Sequence, residues 1–109
     1  MNKYRNKKVQ VDMYVFDSIA ESVRYKELKL LEQAGEISEL TLQPRFLLQE
    51  AFRKNGKSYR KIEYIADLQY IEKGKTIVED VKGIQTDVFK LKHKIFEKLY
   101  PDLELRIIR

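Results

Sequence analysis

Two capped helical segments around a strand-rich middle predict an α/β chain of the α+β kind, a mixed sheet with helices packed on it. Three observations carry this. Residues 18–34 and 86–100 each open on a capping side chain, keep apolar residues at helical spacing, and stop at Gly35 and Pro101. Residues 64–83 read as a β-hairpin, two runs rich in β-branched and aromatic residues joined by Lys73-Gly74. Residues 103–108 alternate as a closing strand. With a first strand before the hairpin, the order is helix, strand, strand, strand, helix, strand.

Residues 1–8 hold Lys3, Arg5, Lys7 and Lys8 and no acid, a mobile basic arm that either contacts phosphates or is a solvated terminus. Residues 9–16 alternate weakly and predict a small hairpin turning near Asp12-Met13. Ser18, with Glu21 three residues on, fits a capping box. Ala20, Val23, Leu28 and Leu31, widened by Ile19 and Leu30, form the expected buried stripe of the first helix. Glu21 therefore has two readings: it completes the cap, or it faces the hairpin and helps to hold a metal. Arg24 lies at i+3 from Glu21 and pairs with it or with a phosphate. Residues 36–42 read as a connection, with Ile37 and Leu40 tucked under the helix. Residues 43–49 read as the first strand, Pro44 near its start, where a missing N–H is tolerated. Residues 52–60 form a basic turn around Asn55-Gly56, able to follow a nucleic-acid backbone or simply solvated.

Thr86 or Asp87 caps the second helix, in which Val88, Leu91, Ile95 and Leu99 form the expected stripe, widened by Phe89, Phe96 and Tyr100. Lys90, Lys94 and Lys98 share one face, with Lys92 nearby; a solvated face is the plain reading, and nearness to Lys82 favours a binding one. His93 has no partner at a useful spacing and reads as a surface or boundary residue.

The central hairpin breaks its own local rule. Asp67 interrupts one apolar strand, and Asp80 and Lys82 interrupt the next, although charge on a half-buried strand costs desolvation energy unless compensated. If Lys73-Gly74 is a two-residue loop, Glu72 pairs with Lys75 and Asp67 falls opposite Asp80, with Lys82 on the same face. A three-residue loop with Gly74 in a bulge would pair Asp67 with Glu79 instead. The first register gathers three unusual residues on one face and is preferred. Two carboxylates held that close favour a divalent cation between them. There is no cysteine and one histidine, so a metal here would be a hard cation on oxygen ligands, Mg²⁺ or Mn²⁺.

The 109 residues are expected to form one domain. No apolar run approaches the roughly 20 residues that cross a bilayer, so no membrane partner and no signal peptide are expected. A net charge of +5 points to a polyanionic partner. Gly-rich phosphate loops and Ser/His/Asp arrangements are absent from the sequence.

The helix order, with Asp67 and then Asp80-Val81-Lys82 one hairpin later, resembles the PD-(D/E)XK nuclease superfamily, whose signature is an Asp followed on the next strand by Asp/Glu-X-Lys. A closer likeness is to a family of short phage-encoded proteins assigned to that superfamily. Stretches like Phe16-Asp17-Ser18, Leu42-Gln43-Pro44, Tyr64-Ile65-Ala66-Asp67 and Val78-Glu79-Asp80-Val81-Lys82-Gly83 recur there in this order. The likeness covers nearly the whole chain. It implies an αβββαβ restriction-endonuclease-like core, a phage or prophage origin, and a place in the cytoplasm of a bacterial host. It departs in Ala66, where the superfamily commonly has proline, and in Met13, where a turn glycine is expected.

Carried over residue by residue, the resemblance implies Asp67, Asp80 and Glu21 as metal ligands, Lys82 as the catalytic lysine, and Mg²⁺ or Mn²⁺ as cofactor. The reaction implied is metal-assisted hydrolysis of a DNA phosphodiester. Arg24, Arg60, Lys61, Thr86, Lys90, Lys92 and Lys94 are then the candidate nucleic-acid contacts, holding the backbone without reading sequence. Resolvases within the superfamily make branched DNA, such as Holliday junctions, the attractive substrate, and paired incisions favour a homodimer. The rivals are a non-catalytic nucleic-acid-binding module that keeps the fold, and a protein-binding accessory factor.

Overall fold

The computed structural model describes residues 8–109; the basic arm, Lys8 apart, lies outside the described residues. A small hairpin comes first, β1 (Val9–Val11) and β2 (Tyr14–Phe16), turning at Asp12-Met13 as expected. It leads into α1 (Ile19–Gln33), whose N-cap Ser18 accepts the Glu21 N–H at 3.1 Å and donates to the Glu21 carboxylate at 3.2 Å. Gly35, at φ 81°, turns the chain out of the helix as a left-handed residue.

Two long antiparallel strands follow, each broken at the same level. The outgoing one is β3 (Ser38–Leu42) and β4 (Arg45–Gln49); the returning one is β7 (Ile62–Ile65) and β8 (Leu68–Glu72). β3 pairs with β8, and β4 with β7. Between the halves, the Gln43 N–H donates to the Asp67 carbonyl (2.9 Å) and the Ala66 N–H to the Pro44 carbonyl (3.1 Å), so pairing continues through the break. Gln43 sits at φ 50°, a left-handed conformation uncommon for a residue with a side chain, and Pro44 has no N–H to give. This corrects two expectations. Residues 38–42 are a sheet strand rather than a connection, and the first hairpin strand is split at Ala66-Asp67. Beyond the break, β4 and β7 lead to a tip hairpin, β5 (Phe52–Lys54) and β6 (Lys57–Tyr59), turning at Asn55-Gly56.

β8 continues through Lys73-Gly74 into β9 (Lys75–Val81), with Glu72 opposite Lys75. Lys73 (φ 51°) and Gly74 (φ 78°) are both left-handed, which a two-residue hairpin turn demands. Then come α2 (Asp87–Leu99), capped by the Thr86 hydroxyl accepting from the Phe89 N–H, and β10 (Glu104–Ile108), parallel to β9. The four-stranded sheet is thus β10-β9-β8-β3, mixed in direction. Counting each broken strand once, the core reads αβββαβ.

The two helices serve two cores. Phe16, Tyr25 and Leu28 pack with Ile37, Leu68, Tyr70 and Ile77; Phe89 and Phe96 pack with Phe46, Leu48, Tyr64, Ala66 and Val78. Ile77 and Val78 point to opposite cores, as the period of two along a strand requires. Both helices are rotated from their expected stripes. In α1 the buried residues are Ser22, Tyr25 and Leu28, leaving Ile19, Ala20, Val23, Leu30 and Leu31 exposed. In α2 Phe89 and Phe96 are buried, leaving Val88, Leu91 and Leu99 exposed. Aromatic payload decides the α2 orientation: Phe96 packs edge-on against Phe46 and Tyr64 at centroid distances of 5.0 and 5.5 Å. In α1 the Arg24–Glu79 ion pair described below fixes which face meets the sheet. Among the described residues no helix is long and apolar enough to cross a membrane.

Candidate active site

β9 carries acids to both faces of the sheet. Glu79 points toward α1 and is fully buried; Arg24 holds it by two parallel hydrogen bonds (Nε 2.7 Å, Nη2 2.6 Å), and the Tyr70 hydroxyl donates to the same carboxylate. Its negative charge drives the Arg24 pKa up, the hydrogen bonds to Glu79 being the largest cause. Arg24 also meets Glu27 at 3.3 Å, so its guanidinium is engaged by two carboxylates. With Glu79 turned to α1, Asp80 and Lys82 point the other way, toward α2.

Asp80 is 2% exposed. The Tyr64 hydroxyl donates to its Oδ2, and the Lys82 ammonium lies 3.3 Å from Oδ1. Lys82 is held in turn over the Phe89 ring, 4.6 Å from its centroid. Burial, then the bond to Asp80, drives the Tyr64 pKa far up, so Tyr64 stays a donor at any ordinary pH.

Asp67 sits at the break between β7 and β8, where its side chain reaches the end of β9. Its N–H donates to the Glu79 carbonyl (3.1 Å), and its Oδ2 accepts the Val81 N–H (2.7 Å). Glu21 lines the same cavity as Asp67, and both it and Asp80 are acids close enough to act on Asp67. Burial is the main cause that pushes the Asp67 pKa up, to about 8; the bond from Val81 opposes it, and Asp80 and Glu21 reinforce it. A carboxyl raised in this way by burial and by neighbouring carboxylates is one whose charged form a nearby cation would favour.

Asp67 thus shares a cavity with Glu21 and reaches, through the Val81 N–H, the residue next to Asp80. Glu21 and Asp67 line a cavity of about 320 Å³ together with Tyr14, Phe16 and Gln43. Asp80 and Lys82 line a second, of about 240 Å³, together with Thr86 and Lys92. The donor set, all carboxylate oxygen with the central acid destabilised as an anion, fits a hard divalent cation. Among the described residues, however, no three acidic or histidine side chains stand in ready ligand geometry. Asp80 is turned to Tyr64 and Lys82 instead.

The candidate nucleic-acid contacts are more dispersed. Thr86 spends its hydroxyl on the α2 cap, the Lys92 ammonium donates to the Glu63 carbonyl at 2.8 Å, and Lys61 approaches Glu63 at 3.6 Å. Lys90 and Lys94 are exposed on α2, and Arg60 is exposed where the tip hairpin returns to β7. Reading the sequence overlooked Tyr64, Tyr70 and the role of Glu79. Tyr64 and Tyr70, each three residues from Asp67, gave no distinctive signal, because aromatic residues are ordinary in strands.

Residues 1–109 match the family model described as Protein of unknown function (DUF1064), and the chain belongs to that family. Among curated proteins none matches the chain.

Proposed function

We propose that this member of the family is a metal-dependent nuclease of PD-(D/E)XK type that hydrolyses DNA phosphodiesters. The observation that carries the reading is the gathering of acids and one lysine at the sheet bend: Asp67 accepts the Val81 N–H at 2.7 Å and shares a cavity with Glu21, and the Lys82 ammonium lies 3.3 Å from Asp80. Asp67 and Asp80, with Glu21, are the carboxylates that would hold Mg²⁺ or Mn²⁺. Such an ion, when bound, polarises the phosphoryl group and acidifies a water. Lys82, fixed between Asp80 and the Phe89 ring, is placed to stabilise charge that builds on the phosphoryl oxygens. Tyr64 holds the Asp80 carboxylate in one orientation. Arg24 belongs to the support of this site, since Glu79 engages it; the exposed cations Arg60, Lys90 and Lys94 remain the backbone contacts.

Branched DNA is the substrate we favour, and a homodimer the active form, both from the likeness to junction resolvases. The test is incubation of labelled four-way junction, linear duplex and single-stranded DNA with Mg²⁺, Mn²⁺ or EDTA. We expect cutting with either metal, none in EDTA, and the junction cut fastest. Salt-sensitive binding with no cutting under either metal would replace the nuclease with a binding module.

A further inference from the structure

The tip hairpin carries a second feature that its role as a connection between β4 and β7 does not require. Phe52 and Tyr59 lie directly across β5 and β6 with their rings stacked, centroids 4.7 Å apart and planes 8° from parallel. Yet they are 42% and 39% exposed, a broad aromatic surface left in water. Side chains alternate along each strand, so Lys54 and Lys57 share that face. These two lysines are also directly opposed, an arrangement that repels. The Lys57 ammonium leans over the Tyr59 ring, 5.2 Å from its centroid, rather than toward an acid. From residue 51 to residue 62 the sequence holds Arg53, Lys54, Lys57, Arg60 and Lys61 and no acid.

A cross-strand aromatic pair alone would be an ordinary hairpin clasp. Two like charges opposed beside it weaken the clasp, and an anion between them would relieve that repulsion. An exposed ring stack next to an anion seat matches the two halves of a nucleotide, base and phosphate.

We propose that this face of the tip hairpin binds unpaired nucleotides, a base stacking on the Phe52–Tyr59 pair and its phosphate resting between Lys54 and Lys57. The inference rests on the reading of nucleic acid as the substrate and narrows it to DNA with a single-stranded or opened segment. The tip hairpin lies at most roughly 26 Å from Asp67, the reach of the eight residues back to Tyr59 at about 3.3 Å each. It would therefore hold a strand within that distance of the bond being cut.

The chain has no tryptophan, so Phe52→Trp places a single reporter in the stack. In EDTA, where no cutting occurs, oligo(dT) is titrated into this variant while anisotropy of a labelled oligo(dT) follows binding. Tryptophan emission is expected to be quenched in step with binding, and a blunt duplex to quench it far less. The paired variant Phe52→Leu/Tyr59→Leu, checked for folding by circular dichroism, is expected to lose about tenfold or more in oligo(dT) affinity. Its duplex affinity should stay within about twofold, because phosphate contacts dominate there. Lys54→Gln/Lys57→Gln should weaken both ligands and flatten the salt dependence by roughly one power of salt. Binding with unchanged tryptophan emission, or unchanged oligo(dT) affinity in the folded leucine variant, would overturn the proposal. Because no step here involves catalysis, a protein that binds in this way but never cuts would remove the nuclease and leave the role of the tip hairpin standing. A protein that cuts but ignores the aromatic pair would do the reverse.

Discussion

Glu79→Ala is expected to be among the most destabilising single substitutions in the chain, at about 3–5 kcal/mol. The carboxylate is wholly buried and satisfies both Arg24 and the Tyr70 hydroxyl. Removing it leaves the Arg24 guanidinium, on a side chain 24% exposed, without its main partner and a buried phenol without an acceptor. Thermal unfolding by circular dichroism should show a fall of about 15 °C or more, using roughly 4–8 °C per kcal/mol for a domain of this size. The double variant Arg24→Leu/Glu79→Leu should recover much of that loss, since it removes both charges together. If the single and double variants melt alike, the ion pair is not what holds α1 to the sheet. The consequence reaches the site: Glu79 on one face is what commits Asp80 and Lys82 to the other.

Asp67→Asn should change stability in the opposite direction, and by an amount that depends on pH. In the folded protein the Asp67 pKa is raised to about 8 from an ordinary 3.8. The unfolded chain therefore releases this proton first as pH rises. The stabilisation that protonated Asp67 provides is complete below about pH 4 and is lost as pH climbs through about 8. Asparagine keeps the amide oxygen for the Val81 N–H and offers an N–H to Glu21, without a charge to bury. The variant should melt close to wild type at pH 5 and about 5 °C above it at pH 9, a modest figure because Asp67 is partly open to water. Added Mg²⁺ or Mn²⁺ at pH 8 should raise the wild-type melting temperature and leave Asp67→Asn unmoved, because the ion favours the deprotonated acid. Melting curves that keep a constant offset across pH, or a metal response shared by both proteins, would contradict this account of Asp67.

Local chemistry was legible in the sequence; choices between faces were not. Lys73-Gly74 and Ser18 with Glu21 are decided by residues a few positions apart, so the hairpin register and the first helix start could be read directly. α2 is apolar on more than one side, so periodicity could not choose between Val88 with Leu91 and Phe89 with Phe96. The rings won because Phe46 and Tyr64 present a matching aromatic floor, brought there from strands far along the chain. The break at Asp67 depends on Gln43 adopting a left-handed backbone on the neighbouring strand, which no pattern around Asp67 encodes. Glu79 likewise looked like a spare acid because its partner Arg24 lies 55 residues away. The three acids of the site were each conspicuous in sequence. That Asp67 takes the Val81 N–H at the bend, and that Tyr64 braces Asp80, needed the bend and the packing of α2.

The claim that this fold cuts phosphodiesters through Asp80 and Lys82 is tested most directly by one comparison. Wild type, Asp80→Ala and Lys82→Ala, all three confirmed folded, are assayed side by side on labelled DNA in Mn²⁺. The account predicts cutting by the wild type and a loss of about 10²–10³-fold or more in each variant. Cutting that survives in Asp80→Ala would contradict it and move the reacting centre away from this face of β9.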